Sequence, residues 1–258
     1  MSNQTINTVQ GHWILAKMGK RVLRPGGKEL TRKLINNLNI TSEDDIVEFA
    51  PGLGFTASIA LQSNPKSYTG IELNEEAAGI LRKSIKGKGR EIIIGNAEDS
   101  TLKDNAYNKV YGEAMLTMHA DQRKSKIIKE ASRILKPGGL YGIHELGLQP
   151  DNLPKGKKEQ VQRDLAQVIK VNARPLTKSE WHQLLEKEGF KIIKTKTNPM
   201  HLLQPKRVID DEGLLRTLKI GFNVLTHPKA RNRILAMRKI FKTYEDQLNA
   251  ISIVAKKK

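Results

Sequence analysis

Between residues 28 and 146 the chain alternates between helical and strand-like hydrophobic patterns. Leu30, Leu34 and Leu38 recur at helical spacing and predict a helix over residues 28–38. Short apolar runs that end at turn residues predict strands at 45–50, 67–72, 91–95, 109–116 and 140–146. Further helices are predicted between these strands, at 55–62, 75–86 and 121–135. Strands alternating with helices favour a parallel sheet with right-handed crossovers.

After residue 147 the pattern is mainly helical. Helices are predicted at 155–171, 181–188, 206–225 and 229–247, with strands beginning at 190 and at 250. Thr177 and Glu180 have the spacing of a capping box at the start of the second of these helices. Apolar positions at helical spacing in the third, which we expect to pack in the core, are Leu215, Leu218, Phe222 and Leu225.

Composition narrows the class of protein. The chain has 258 residues, of which 38% are hydrophobic, enough for a packed core. It has no cysteine, which excludes a disulfide framework, a cysteine-ligated zinc site and a cysteine nucleophile. No apolar run approaches the roughly 20 residues of a membrane helix, and no signal-peptide pattern opens the chain. We therefore expect a cytoplasmic protein with no membrane partner.

Basic residues are concentrated in the second part of the chain. The net charge is +18, and residues 151–258 hold 24 basic and 11 acidic side chains, a net charge of +13. This imbalance favours an anionic partner or an acidic or phosphorylated substrate, although solvated helix faces produce the same imbalance.

The candidate chemistry begins at the turn after the first predicted strand. Gly52 and Gly54 allow a ligand to approach the backbone, and the following helix offers free N–H groups. Glu72 ends the second predicted strand, where a carboxylate can accept both hydroxyls of a ribose. The glycines alone also fit a dinucleotide site. Glu48, however, would repel two phosphates and attract an ammonium or a sulfonium, so the interpretation favours S-adenosylmethionine.

Four segments carry a family resemblance. Val-Glu-Phe-Ala-Pro-Gly-Leu-Gly at 47–54 is similar to the first motif of class I S-adenosylmethionine-dependent methyltransferases. Gly-Ile-Glu-Leu at 70–73 and Gly-Asn-Ala-Glu at 95–98 resemble that family's ribose and adenine segments. Arg-Ile-Leu-Lys-Pro-Gly-Gly at 133–139 resembles the turn before its fifth strand. The resemblance implies a doubly wound, mostly parallel seven-stranded sheet with a C-terminal antiparallel hairpin and a helical cover.

The resemblance also implies a division of the chain and a set of cofactor contacts. Residues 1–27 would form a lid or capping segment, 28–147 the cofactor-binding core, and 148–258 the acceptor cover with the last two strands. The implied contacts to S-adenosylmethionine, and to its product S-adenosylhomocysteine, are Glu48, Ala50, Pro51, Gly52, Gly54, Glu72, Leu73, Asn96, Ala97, Glu98, Glu113 and Ala114.

Two of these positions depart from the family pattern. Ala50 stands where glycine is usual, a mild change if its φ is negative. Asn96 replaces an aspartate, so an adenine amino group would have to be bound by the Asn96 amide oxygen or by Glu98.

The acceptor is expected over the carboxyl ends of strands four and five. His119 or Glu145 is a candidate general base, and His144 is a weaker one. Neighbouring strand residues point to opposite faces, so at most one of His144 and Glu145 faces the site. Arg24 in the N-terminal segment is a candidate partner for a carboxylate. The histidines lack metal-ligand spacing, so no metal is predicted.

Four functions are compatible with these features. The first is methylation of a small molecule, possibly an acidic one. The second is methylation of RNA through the basic second half, although few aromatic residues are available for base stacking. The third is binding of S-adenosylmethionine without catalysis, and the fourth, least favoured, is a nicotinamide-dependent oxidoreductase.

Overall fold

In a computed structural model that describes residues 9–258, eight strands form one sheet. The strands are β1 Asp45–Phe49, β2 Ser67–Glu72, β3 Arg90–Ile94, β4 Tyr107–Glu113, β5 Leu135–Leu148, β6 Leu176–Thr177, β7 Phe190–Pro199 and β8 Leu248–Lys257. Their order is β3-β2-β1-β4-β5-β8-β7, and β6 pairs with β5 outside this path. The strands β1 to β6 pair in parallel, whereas β8 runs antiparallel to β5 and β7. The predicted α/β architecture is confirmed, with one two-residue strand more than the expected seven.

Ten α-helices lie in the described part of the chain. They are α1 Gly11–Lys17, α2 Gly27–Leu38, α3 Phe55–Ala60, α4 Glu75–Ser84, α5 Asp121–Ile134, α6 Lys155–Ile169, α7 Lys178–Lys187, α8 Pro205–Glu212, α9 Leu214–Thr226 and α10 Pro228–Thr243. Short 3-10 segments occupy Leu61–Ser63 and Leu116–Met118. The capping box predicted at Thr177 and Glu180 is present at the start of α7.

The sheet buries both faces, because its side chains alternate between two layers of helices. Along β1, Ile46 packs with Leu34 of α2 on one face. Val47 and Phe49 pack with Ile127 of α5 on the other. The carboxyl ends of the parallel strands are left uncovered by this packing, and the segments that follow them are free to form a site.

The cover above those ends has an apolar core of its own. Leu15 of α1, Val161 and Leu165 of α6, and Met237 of α10 are all buried there together. The helix predicted over 206–225 is instead two helices, since the chain breaks at Gly213, whose φ is +79°. No helix among residues 9–258 has the length and apolar character needed to cross a bilayer.

The expectation that α9 contributes its apolar stripe to the core is wrong. Leu215, Leu218, Phe222 and Leu225 are 84%, 62%, 66% and 66% exposed. Helical periodicity records that one face of a helix is apolar, but it does not record what covers that face.

Candidate active site

A cavity of about 560 Å³ opens at the carboxyl ends of β1, β2 and β4. We call it the outer cavity. Its floor is made by the segments that follow these strands, and the N-terminal segment forms one wall. Of the residues implied by the resemblance, those in its lining are Ala50, Pro51, Gly52, Glu72, Leu73, Asn96, Ala97, Glu113 and Ala114. Glu48, Gly54 and Glu98 are not in the lining.

Between β1 and α3 three residues lie in the left-handed region, and two of them, Ala50 and Gly52, line the cavity. Ala50 has φ +52° and Gly52 has φ +60°. The proviso that Ala50 has a negative φ is therefore wrong, and this alanine bears a strain that a glycine would avoid. A Cβ added at Gly52 would meet no protein atom closer than 4.0 Å, so the backbone there faces open space. The strained turn thus presents bare backbone to the cavity.

Glu72 is held by the backbone at both carboxylate oxygens. The N–H of Gly52 donates to Oε2 at 2.9 Å, and the N–H of Asn74 donates to Oε1 at 2.9 Å. The residue is 6% exposed and lines the cavity. Each oxygen keeps a second lone pair, so this fixed carboxylate can accept from two adjacent hydroxyls.

Gly54 and Glu48 lie behind the turn. Gly54 precedes α3 with φ +79°, and a Cβ there would come within 2.8 Å of a Leu81 methyl group. Its smallness therefore serves the packing of α3 against α4. Glu48 is buried and accepts from the hydroxyls of Tyr68 at 2.7 Å and Tyr111 at 3.0 Å. Burial and the neighbouring Glu113 raise the pKa of Glu48 to about 7, against the donated hydrogen bonds. This placement does not support the expected direct contact between Glu48 and a cationic ligand.

The segment after β3 forms another wall. Asn96 and Ala97 line the cavity, and the Asn96 amide donates to Glu98 at 2.8 Å. Arg123 of α5 donates to the Asn96 amide oxygen at 3.3 Å and lies 3.6 Å from the Glu98 carboxylate. Both side-chain oxygens proposed for an adenine amino group are therefore already engaged by protein donors. Arg123, which sequence reasoning missed, fixes this wall from the next helix.

Glu113 is the centre of a buried polar network at the end of β4. Arg24 forms an ion pair with its Oε2 at 2.5 Å, and the Thr56 hydroxyl donates to the same oxygen. His144 lies 2.6 Å from Oε1 through Nδ1 and 2.6 Å from the Pro25 carbonyl oxygen through Nε2. Burial raises the pKa of a carboxyl, but Arg24 and His144 outweigh burial and lower the pKa of Glu113 to about 2. The predicted pairing of Arg24 with a carboxylate is present, and it fastens the N-terminal segment to the sheet.

The Glu145 carboxylate is buried and binds the loop that follows β4. It is fully buried, and it accepts from the backbone N–H groups of Met115, Leu116 and Thr117 at 2.8 to 3.0 Å. The Thr117 hydroxyl also donates to it at 2.7 Å. Glu145 lines neither of the cavities described here. This arrangement anchors the loop after β4 and does not support a role for Glu145 as a base.

Two imidazoles reach the outer cavity. His119 lines it, and burial and the Arg123 charge lower the pKa of its imidazole. His12, on α1, also lines it, and burial lowers the pKa of His12 to about 4. Both side chains are therefore neutral near pH 7. Sequence reasoning considered His12 only as a metal ligand, because nothing in its local pattern shows that α1 folds over β4.

The N-terminal segment covers the site. Trp13, Arg21, Leu23 and Arg24 line the outer cavity beside His12. The lid predicted over residues 1–27 is thus a wall from residue 10 onward, and its first eight residues lie outside the described part of the chain.

A second cavity, of about 90 Å³, adjoins the first. We call it the inner cavity. Five residues line both cavities: His12, Leu23, Ala114, Met118 and Val171. Its other walls are mainly apolar and include Leu15, Leu146, Leu165, Met200, Met237 and Phe241. The residues come from α1, α6, α10, strand β5 and four connecting segments, which no local motif links.

The residues of the outer cavity fit S-adenosylmethionine. The Glu72 carboxylate would accept from the ribose hydroxyls, bare backbone at Gly52 would allow close approach, and the 95–97 segment would border the base. When bound, the cofactor supplies an electrophilic methyl group on a cationic sulfur. No group of three or more metal-ligating side chains occurs among residues 9–258.

Comparisons with known proteins agree with this geometry. The family described as "Methyltransferase domain" matches residues 47–143. An uncharacterised protein of Haemophilus influenzae is 33% identical over 249 residues, which cover 95% of this chain and 96% of that protein. The uncharacterised methyltransferase YdaC of Bacillus subtilis is 30% identical over 138 residues, which cover 53% of this chain and 75% of that protein.

A solved structure gives the same fold at low identity. Phosphoethanolamine N-methyltransferase 2 of Haemonchus contortus, solved with phosphomonomethylethanolamine and S-adenosylhomocysteine, has a TM-score of 0.70 at 16% identity. The match covers 99% of this chain and 58% of that one. With the matching family and the curated relatives, these findings establish S-adenosylmethionine as the cofactor, and the chain belongs to the class I S-adenosylmethionine-dependent methyltransferases.

Proposed function

We propose that the protein transfers a methyl group from S-adenosylmethionine to a small, predominantly apolar acceptor that occupies the inner cavity. The observation that carries the proposal is the junction of the two cavities, where five residues line both. An acceptor in the inner cavity would meet the cofactor at this junction.

The lining of the inner cavity supports an apolar acceptor. Among the described residues, its only polar side chains are His12 and Thr117, and the Thr117 hydroxyl already donates to Glu145. Burying a carboxylate or a phosphate there without a partner would cost several kcal/mol. The excess of basic residues favoured an acidic acceptor, but none of those residues reaches this cavity.

The size and adaptability of the cavity point to a compact group. Its volume of about 90 Å³ is roughly that of three water molecules in the liquid, so a single ring or a short branched chain fills it. Met118, Met200 and Met237 line it, and the flexible methionine side chain adapts to irregular shapes.

His12 is the proposed positioning group for the acceptor. Its neutral imidazole lies at the junction and can accept a hydrogen bond from a nucleophilic O–H, N–H or S–H. His119, a candidate base predicted from the sequence, lines only the outer cavity. His119 is therefore the second candidate for accepting a proton.

Methyl transfer by in-line displacement depends on alignment and on the exclusion of water. The N-terminal segment supports both requirements, because Arg24 fastens it to Glu113 and its residues wall both cavities. We propose that this segment acts as a lid that closes over the bound cofactor and acceptor.

A paired panel of acceptors tests the proposal. Each pair carries the same nucleophile with and without a carboxylate: 4-ethylphenol and 4-hydroxybenzoate, thiophenol and thiosalicylate, aniline and 4-aminobenzoate. We expect methyl transfer from labelled S-adenosylmethionine to favour the uncharged member of whichever pair is turned over. Preference for the carboxylated member would contradict the apolar acceptor while leaving the methyltransferase assignment intact.

His12→Asn and His119→Asn separate the two imidazoles. For an uncharged acceptor, we expect the His12 variant to lose the larger share of kcat/KM, with little change in cofactor affinity by calorimetry. Equal losses in the two variants would remove the special position assigned to His12.

A further inference from the structure

Helix α9 presents an apolar face that no described residue covers. Leu214, Leu215, Leu218, Phe222 and Leu225 are each more than 60% exposed. Isolated exposed apolar residues are common, but five large ones on a single helix of 13 residues form a contiguous patch, which marks an interaction site. We call this patch the α9 face.

The other side of α9 is fixed to the protein. The Asn223 amide donates to the Met18 carbonyl oxygen at 3.0 Å, and Arg216 donates to the Gly19 carbonyl oxygen at 3.2 Å. Ile220 packs near Gly19. The exposure of the α9 face therefore belongs to a helix that is held in place by side chains on its opposite side.

Helices α9 and α10 carry charge of one sign, and of the acidic residues just before α9, Asp210 is exposed whereas the Glu212 side chain is buried and pairs with Lys20. Residues 213–243, which include α9 and α10, contain eight Lys and Arg residues and no Asp or Glu. Five of the eight are well exposed: Lys219, Lys229, Arg238, Lys239 and Lys242. An apolar face flanked by cations is the pattern of a helix that lies in the interface of a membrane.

We propose that α9 docks on an anionic lipid surface, with the α9 face in the headgroup and acyl boundary and the surrounding cations on the headgroups. Both properties of the surface select this occupant. An apolar patch with a cationic surround matches a bilayer with anionic lipids, to which each nearby Lys or Arg adds attraction. A second copy of the chain meets only half of the requirement, because a symmetric contact through α9 places Lys219 and its neighbours against their own copies.

This docking is peripheral, and it differs from the expectation of no membrane partner drawn from the lack of a spanning segment. Docking through α9 would also fix how the two cavities are oriented relative to the lipid surface. α9 rests on residues 18–19, which follow α1, and it is joined to α10. Both α1 and α10 line the inner cavity. Lipid docking is independent of the proposed acceptor, and the experiment below measures it without any methyl transfer.

Vesicle sedimentation of the full chain tests the docking. The probes are vesicles of phosphatidylcholine alone and of phosphatidylcholine mixed with phosphatidylglycerol. We expect binding to the anionic vesicles only, with affinity falling as salt is raised. The double variant Leu218→Ser, Phe222→Ser should bind at least about tenfold more weakly, because two large apolar side chains no longer enter the interface. Lys219→Gln should weaken binding about fivefold.

Matched controls come from α4, on a different surface. Ile80 is 44% exposed and Lys83 is exposed, so Ile80→Ser and Lys83→Gln remove the same kinds of group away from α9. Both controls should bind as the wild type does. Since every substituted residue is exposed, thermal unfolding should be unchanged throughout.

Several results would overturn the proposal. They are absence of binding to anionic vesicles, equal binding to neutral ones, and full binding by the Leu218 and Phe222 double variant. Dimerisation through the α9 face without vesicle binding, measured by ultracentrifugation, would assign the face to a second copy. RNA binding that requires Lys219, again without vesicle binding, would assign the cations to nucleic acid.

Discussion

The outer and inner cavities meet at five residues, yet different kinds of chemical group line them. The outer cavity is formed at strand ends by carboxylates and backbone N–H groups, and Glu72 is held at both oxygens. The inner cavity is formed by apolar side chains from helices that are distant in sequence, such as Leu15, Leu165 and Met237. Directional hydrogen bonds require particular residues at particular positions, whereas apolar packing accepts many combinations of side chains.

Specificity for the cofactor and specificity for the acceptor therefore reside in different walls. A fixed pattern of polar groups suits a cofactor that is the same throughout the family. A wall of exchangeable apolar side chains can be reshaped for each acceptor without disturbing the polar pattern. Substitutions in the outer cavity should therefore change cofactor binding and the stability of the sheet, and substitutions in the inner cavity should change the acceptor alone.

The largest expected effect is on the outer cavity, at Glu72. Replacing Glu72 by Ala removes the acceptor proposed for both ribose hydroxyls, at about 1.5–3 kcal/mol for each hydrogen bond to a charged group. We expect S-adenosylmethionine affinity to fall by a hundredfold or more, measured by calorimetry. Glu75→Ala, an exposed carboxylate at the start of α4, is the control. Unchanged affinity in the Glu72 variant would disprove the ribose role.

Acid should destabilise the folded protein through Glu113, which lines the outer cavity. The pKa of Glu113 is lowered to about 2, below its ordinary value of 4.5, so its contribution to stability is complete above pH 4.5 and is lost as the pH falls towards 2. We expect a contribution of about 3 kcal/mol. Glu113→Gln should lower the free energy of unfolding by about that amount at neutral pH and remove this pH dependence, measured by urea unfolding. A variant with the wild-type acid profile would show that the network does not stabilise the fold.

Glu48 should have the opposite pH dependence. Its pKa is raised to about 7 from 4.5, so its contribution is complete below pH 4.5 and is lost as the pH rises through 7. Above pH 7, Glu48→Gln should therefore raise the free energy of unfolding by about 2 kcal/mol, because a neutral amide replaces a buried carboxylate. Glu91→Gln, at an exposed position, is the control. A loss of stability above pH 7 would mean that the two tyrosines require the charged form.

On the acceptor side, Phe241 lies in the wall of the inner cavity. Phe241→Leu reshapes the inner cavity and leaves the lining of the outer cavity intact, and we expect about a tenfold loss of kcat/KM for an uncharged acceptor, about 1.4 kcal/mol. Cofactor affinity should be unchanged. Lys242→Ala, at the adjacent exposed position, should alter neither quantity. A weakened cofactor in the Phe241 variant would show that the two cavities are not independent.

The smallest effect is a gain in stability at Ala50. With φ at +52°, an alanine there costs roughly 1 kcal/mol relative to glycine, so Ala50→Gly should raise the free energy of unfolding by about that amount. Ala57→Gly, within α3, should lower it by a similar amount or more, because glycine disfavours a helix interior. Urea midpoints compare the two, and a loss in both variants would show that the turn is not strained.

Much of the cofactor side could be predicted from sequence. The turn at Gly52 and the placement of Glu72 follow from a strand, a tight turn and a helix in succession, which fixes the backbone within a few residues. The placement of Glu48 and of Glu145 does not support the direct site roles expected from sequence, because each carboxylate is engaged by groups from other segments. The sequence places each residue on its strand. The hydroxyl of Tyr68 and the backbone amides of the loop after β4 determine which groups the two carboxylates bind.

By itself, the sequence determined the alternation of strands and helices, the order of the polar groups at the strand ends and the family of the chain, because these depend on neighbours along the chain. Only the tertiary structure decided that His12 lies between two cavities, that Arg24 fastens the N-terminal segment to Glu113, and that α9 turns its apolar face outward. Those outcomes depend on contacts between segments far apart in sequence, and a local pattern of apolar and polar residues contains no record of which segment will lie opposite.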